Sequence, residues 1–264
     1  VCHRGSRCRS PGHPFDHVVD TVRKDAPDYD IVTPDGIGHT VWTVRDEVMI
    51  GELVAFFNGV PALYIADGHH RTAAAIRYGQ ARRAATPNPT GDEPFESFMA
   101  AVFPHNQLKI MDYNRVVKDL NGLSPEQFLA KVGEKFDIAP AAQPQPEKAA
   151  SFGMFFQGKW HRLTAKAGSF PATDPVKSLD VSILQDNLLN PILGIQDPRT
   201  DKRIDFVGGI RGTQELEKRV NEGYAVAFAM FPTSLDQLMA VSDAGQIMPP
   251  KSTWFEPKLR SGLL

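Results

Sequence analysis

A chain of 264 residues, 42% hydrophobic and 23% charged, can bury one large core or two small ones and lacks the composition of a disordered segment. Its formal net charge of -2 gives a polyanion no electrostatic reason to bind, which argues against nucleic acid as the main partner. Two cysteines, Cys2 and Cys8, cannot frame a disulfide-held fold of this size. No apolar run reaches the ~18 residues of a membrane-spanning helix, and the basic opening segment lacks the apolar stretch of a secretory signal, so a cytoplasmic protein with no membrane partner is expected.

Residues 1–12 show no hydrophobic periodicity and are expected to be irregular. Residues 16–24 have helical spacing, and 30–33 with 39–44 read as a hairpin around Pro34-Asp35-Gly36-Ile37-Gly38. Asp46 is placed to cap a helix that runs to Asn58 and stops at Gly59. Residues 62–66 read as a buried strand, 72–78 as an alanine-rich helix ending at Gly79, and 98–103 as another apolar strand. Ser124, Pro125 and Gln127 form a helix start. Two loops are rich in proline, 86–94 and 139–150, and the second predicts a boundary between a domain over 13–140 and another over 151–264. Beyond it, 152–156 and 160–164 predict a hairpin, 180–189 a helix and 203–207 a strand. Thr213 is placed to cap a helix ending near Gly223, followed by a strand over 224–231 and a helix over 234–244. Mixed elements throughout predict an α+β protein.

Chemistry is concentrated in Asp67-Gly68-His69-His70-Arg71-Thr72, between the strand at 62–66 and the helix that follows. Gly68 allows unusual backbone angles or close ligand approach, and the free amides opening a helix favour an anion. Arg71 has the fork for phosphate oxygens, His69, His70 and Thr72 carry donors, and Asp67 is the candidate magnesium ligand. Asp67 and His70 are the candidates for the catalytic work, because phosphoryl transfer depends on positioning and charge neutralisation. The plain alternatives are a capping Asp67, exposed polar histidines and an Arg71 paired at the surface. A zinc site is disfavoured: the histidines are adjacent, no HExxH spacing occurs and the cysteines lie at the start.

A second strand-glycine-helix unit contains Gly208 and Gly209, with Arg211 near, and matches neither a Walker A loop nor a GxGxxG fingerprint. Turn glycines without a ligand are its plainer reading; the alternative is close approach of a nucleotide. Near the end, Lys251 and Ser252 carry donors for a carboxylate or phosphate in a proline-rich segment that reads as a strap held by Trp254 and Phe255. His39, Glu47 and Glu52 read first as polar surface residues.

Tyr64-Ile65-Ala66-Asp67-Gly68-His69-His70-Arg71 closely resembles the signature of the bacterial and archaeal family called domain of unknown function 1015. The run from Met248-Pro249-Pro250-Lys251-Ser252-Thr253-Trp254 to Leu263 resembles the end of that family, and Gly38-His39-Thr40-Val41-Trp42, Asp205-Phe206-Val207-Gly208-Gly209 and Phe231-Pro232-Thr233-Ser234 resemble landmarks in the same order. The resemblance spans about residues 16–264. The signature is also similar to that of free-serine kinases with a ParB/sulfiredoxin-like fold. It implies such a core here, with Asp67, His69, His70 and Arg71 as the nucleotide and metal site, ATP or ADP as nucleotide, Mg2+ as ion and free L-serine as substrate. Sulfiredoxin activity is not implied, because the motif has no cysteine. Family members carry a long segment ahead of this point with an acidic stretch around a His-Glu pair, so the chain is expected to be truncated at its amino terminus. If the catalytic base lay in that segment, the chain would bind nucleotide without turnover. A non-catalytic nucleotide-binding protein, a ParB-like nucleic-acid-associated protein and a metal-dependent phosphoesterase are the rival readings.

Overall fold

The computed structural model describes residues 2–3, 14–258 and 262. The chain divides into two compact units, Val1–Gln107 and Leu108–Leu264. Most of the 1–12 segment expected to be irregular, Cys8 included, lies outside the described residues, as do residues 259–261, 263 and 264. Among the described residues no helix is long and apolar enough to cross a membrane.

The first unit comprises β1 (Cys2–His3), α1 (Pro14–Val22), the hairpin β2 (Tyr29–Val32) and β3 (Gly38–Val41), α2 (Glu47–Asn58), β4 (Leu63–Tyr64), α3 (His69–Ala85) and β5 (Phe103–Pro104). β1 lies between β4, antiparallel, and β5, parallel. The Asp46 carboxylate accepts the Met49 N–H at 2.9 Å and the helix gives way at Gly59, so α2 begins and ends where its caps predict. Phe15 of α1 meets Phe56 and Phe57 of α2 with centroids 5.9 and 6.4 Å apart. Two expectations need correction. The strand over 98–103 shrinks to Phe103–Pro104, with Phe98 and Met99 exposed. The strand over 62–66 shrinks to Leu63–Tyr64, leaving Ala66 as its buried residue.

A third correction concerns Gly79, which does not end the helix: α3 continues to Ala85. Its missing side chain serves packing instead, since a Cβ at Gly79 would lie 2.8 Å from the Phe95 carbonyl oxygen. Arg83, one turn on, pairs with Glu96 beside it.

The second unit is built on one six-stranded antiparallel sheet. Its elements are β6 (Lys109–Met111), β7 (Tyr113–Val117), α4 (Pro125–Lys135), β8 (Phe136–Pro140), β9 (Ser151–Phe156), β10 (Lys159–Ala165), α5 (Asp180–Leu184), β11 (Ile204–Gly208), α6 (Gln214–Asn221), β12 (Val226–Ala229), α7 (Leu235–Asp243) and β13 (Trp254–Glu256). The strand order is β11-β7-β12-β9-β10-β8, while β13 pairs separately with β6. Alternation along the strands sends side chains to two cores. The larger gathers Val117, Phe156 and Phe228 with Phe128 and Val132 of α4, Ile183 and Leu184 of α5 and Val241 of α7. The smaller sets Val116, Phe155 and Ala227 against Leu216 of α6. Helices on both faces of an antiparallel sheet make this an α+β protein. Each wholly buried phenylalanine, such as Phe128 or Phe152, contributes about 2 kcal/mol through apolar burial.

The proline-rich stretch at 139–150 is not where the chain divides. β8 pairs with β10 from Phe136↔Ala165 to Pro140↔His161, and the following loop returns to β9 within the same sheet. The Pro144 carbonyl oxygen packs 1.9 Å from where a Cβ on Gly153 would stand, so the loop is fastened to the sheet. The division falls at Gln107/Leu108 instead.

Candidate functional site

In the first unit, Asp67 to Thr72 folds as a tight turn into α3. Gly68 is the N-cap residue in the left-handed region, φ 82° and ψ 24°, a conformation that disfavours any residue with a Cβ. The Asp67 carboxylate accepts the Gly68 N–H at 2.8 Å. The first intrahelical bond is Thr72 N–H to the Gly68 carbonyl, 2.9 Å. The N–H groups of His69, His70 and Arg71 therefore precede that bond, and the N-cap glycine has no side chain with which to cap the helix. Arg71 folds back over the turn, its Nη2 3.4 Å from the position a Gly68 Cβ would take. Ala66, directly before the turn, is buried, while Asp67, His69, His70 and Arg71 are exposed and Gly68 and Thr72 half-buried.

This arrangement gathers amide donors, a guanidinium and two imidazoles at a helix start, with a carboxylate one residue before the cap. It suits an anion. Among the described residues no group of three or more His, Cys, Asp or Glu stands together to hold a metal. A single carboxylate fits magnesium when phosphates and water complete its shell. His39 is half-buried with Nε2 lacking a hydrogen-bond partner, and Glu47 and Glu52 are exposed on α2.

In the second unit, Gly208, Gly209, Lys251 and Ser252 come together at the end of the sheet where β11 stops and β7 begins. The space beside both glycines is filled by the protein itself. A Cβ on Gly208 would lie 2.7 Å from the Trp254 ring, and one on Gly209 would lie 2.0 Å from Asp112 Oδ1. The Ser252 hydroxyl donates to the Pro249 carbonyl at 2.5 Å, and the Ser252 carbonyl accepts from Thr233 Oγ1 at 3.2 Å. Residues 249–256 thus form a strap, anchored by β13 pairing with β6 and by Trp254 packed at a tilt against Tyr113, centroids 5.6 Å apart.

The sequence reading missed the polar residues under this strap. Asp112, Asn114 and Arg115 are all buried. Asn114 Nδ2 donates to Asp112 Oδ2 at 2.6 Å, and its Oδ1 accepts the Met230 N–H at 2.9 Å. Arg115 Nη2 donates to the Lys251 carbonyl at 2.9 Å and Nη1 to the Tyr113 carbonyl. Burial lowers the Arg115 pKa to about 10, which leaves it cationic at neutral pH. The available signal was an asparagine and an arginine followed directly by Val116-Val117, polar residues at the head of a β-branched run.

No curated protein matches the chain. Solved structures do match, at low similarity. A variant of a free serine kinase in complex with AMP is 14% identical with a TM-score of 0.38, covering 72% of this chain and 66% of the other. A free serine kinase in complex with AMP is 14% identical with a TM-score of 0.39, covering 81% and 80%. A conserved hypothetical protein from Pyrococcus furiosus is 13% identical with a TM-score of 0.38, covering 72% and 68%. The chain therefore spans 66% of the length of the first of these. A family described as a protein of unknown function, DUF1015, matches residues 8–182, more than half of the chain. On that match the chain belongs to the DUF1015 family.

Proposed function

We propose that the chain binds nucleotide phosphates at the start of α3 and transfers a phosphoryl group to a small hydroxylated metabolite, with free L-serine the first substrate to test. The observation that carries this reading is the left-handed turn at Gly68, which sets the His69, His70 and Arg71 amides ahead of the first intrahelical bond with the Arg71 guanidinium folded back over the turn. Thr72, one residue further along α3, belongs to the same cradle. Asp67 is the residue assigned to Mg2+, whose charge neutralises phosphate oxygens. In the transfer the bond from the phosphoryl group to the nucleotide breaks, a bond to the substrate oxygen forms and the hydroxyl proton leaves to a base. We assign that proton to His70, one of the motif's two imidazoles. The solved kinases that carry AMP or ADP make ATP and ADP the first nucleotides to try.

The test is thermal unfolding of the chain with magnesium and ATP or ADP, followed by an assay for phosphoserine. Nucleotide is expected to raise the Tm, and Arg71→Ala and Asp67→Ala to weaken that binding by about tenfold or more. Absence of any nucleotide-dependent rise, or a rise indifferent to Arg71→Ala, overturns the reading. Binding without phosphoserine would favour a non-catalytic nucleotide-binding protein, whereas phosphate release without an acceptor would favour a phosphoesterase.

A further inference from the structure

The end of the six-stranded sheet beneath the strap carries a row of three rings. Phe206, Tyr113 and Trp254 follow one another with centroids 5.9 and 5.6 Å apart. A cation lies over each: the Arg115 guanidinium 5.5 Å from Phe206, the Lys251 ammonium 5.6 Å from Tyr113 and the Lys258 ammonium 5.9 Å from Trp254. Register explains the row. Arg115 pairs with Phe206 and Tyr113 with Gly208 across β7 and β11, so these side chains share a face, and the glycine leaves the gap that Trp254 fills.

The acids nearby are engaged elsewhere. Glu256 accepts the Trp254 indole N–H at 2.7 Å and the Lys258 backbone N–H at 3.1 Å. Asp112 holds Asn114 and lies against Gly209. Among the described residues neither Arg115 nor Lys251 pairs with a carboxylate. Arg115 is 4% exposed and is held by two carbonyls and a ring face, with a second cation over the next ring. No carboxylate balances this buried charge, and an anion shared by the two cations would do so. Lys251 adopts a left-handed backbone, φ 57°. In that conformation its carbonyl meets Arg115 while its ammonium lies over Tyr113.

We propose that Arg115 and Lys251 form an oxyanion site at this end of the sheet, taking the phosphate or carboxylate group of a small ligand. Its residues are not those of the α3 motif. Arg115 would supply the N–H groups that its two carbonyl bonds leave over, and Lys251 a point charge at the strap's surface.

The test is thermal unfolding of the full chain carrying Arg71→Ala, which disables the proposed phosphate cradle on α3, titrated with pyrophosphate or with acetate at ionic strength matched by sodium chloride. At least one anion is expected to raise the Tm by about 2–5 °C above the chloride control. Adding Lys251→Ala, an exposed side chain whose loss spares the core, is expected to weaken the half-saturating concentration about tenfold. Arg115→Lys keeps the charge, loses the fork and is expected to weaken it as well. The pyrophosphate and acetate arms separate a phosphate ligand from a carboxylate one. No rise above chloride in either arm, or a rise unchanged by Lys251→Ala, overturns the proposal. A Tm lowered by Arg115→Lys without anion dependence in its parent would make Arg115 a latch for the strap and nothing more.

Discussion

Asp180 is the residue on which pH should act most directly. It is 5% exposed at the first position of α5, with Oδ1 accepting the Ala150 N–H at 3.0 Å and Oδ2 buried without a hydrogen-bond partner. Burial raises its pKa to about 7, against the opposing pull of the Ala150 N–H. Between about pH 4 and pH 7 the folded state therefore holds a proton that the unfolded chain has released, so this residue makes stability fall as pH rises through that window and level off above it. Asp180→Asn keeps the acceptor for Ala150 and removes the charge. It is expected to flatten the profile and stabilise the chain at pH 8 by about 1–3 kcal/mol, as read from urea midpoints at pH 5 and pH 8. Equal pH dependence in the two proteins would refute the assignment.

At the scale of elements, the helices that announce themselves in sequence do so through their ends. Ser124 and Gln127 close a capping box on α4, and Ser234 and Gln237 do the same on α7. Ser124→Ala is expected to cost about 1 kcal/mol, seen as a lower denaturant midpoint with unchanged slope. The Ser124 cap, the α2 stop at Gly59 and the hairpin of 152–156 with 160–164 were legible because each is set by residues a few positions apart. The motif turn was legible for the same reason. What remained hidden depends on distant partners. Gly79 looks like a helix terminator until Phe95 is seen against it, and the proline-rich stretch looks like a linker until Pro144 is seen against Gly153. β7 escaped notice because Asn114 and Arg115 interrupt its apolar pattern, their bonds being made to Met230 and Lys251. No local pattern reveals a contact across more than a hundred residues.

Across the whole molecule, apolar burial is uneven. In the first unit Val18 and Ala66 are the buried hydrophobic residues among those described, while Val32, Val48 and Met99 are 74%, 70% and 78% exposed. In the second unit β9 and β12 are buried along their whole length. Amide exchange is expected to follow that contrast. Amides of β7, β9 and β12 should exchange only on global unfolding, and those of residues 14–107 faster by at least about tenfold, as peptide-resolved hydrogen exchange would show. Uniform protection would contradict it. The strand order β11-β7-β12-β9-β10-β8 also bears on the chain as it is made. Both neighbours of β7 emerge from the ribosome after it, the nearer in sequence beginning only at Ile204. At about 5–20 residues per second the nascent strand waits for several seconds with both edges open. β9 and β10 can pair meanwhile as a hairpin, with β8 against the free edge of β10. During that interval the growing polypeptide offers chaperones, or a neighbouring nascent chain, the hydrogen-bonding edges that the finished sheet closes.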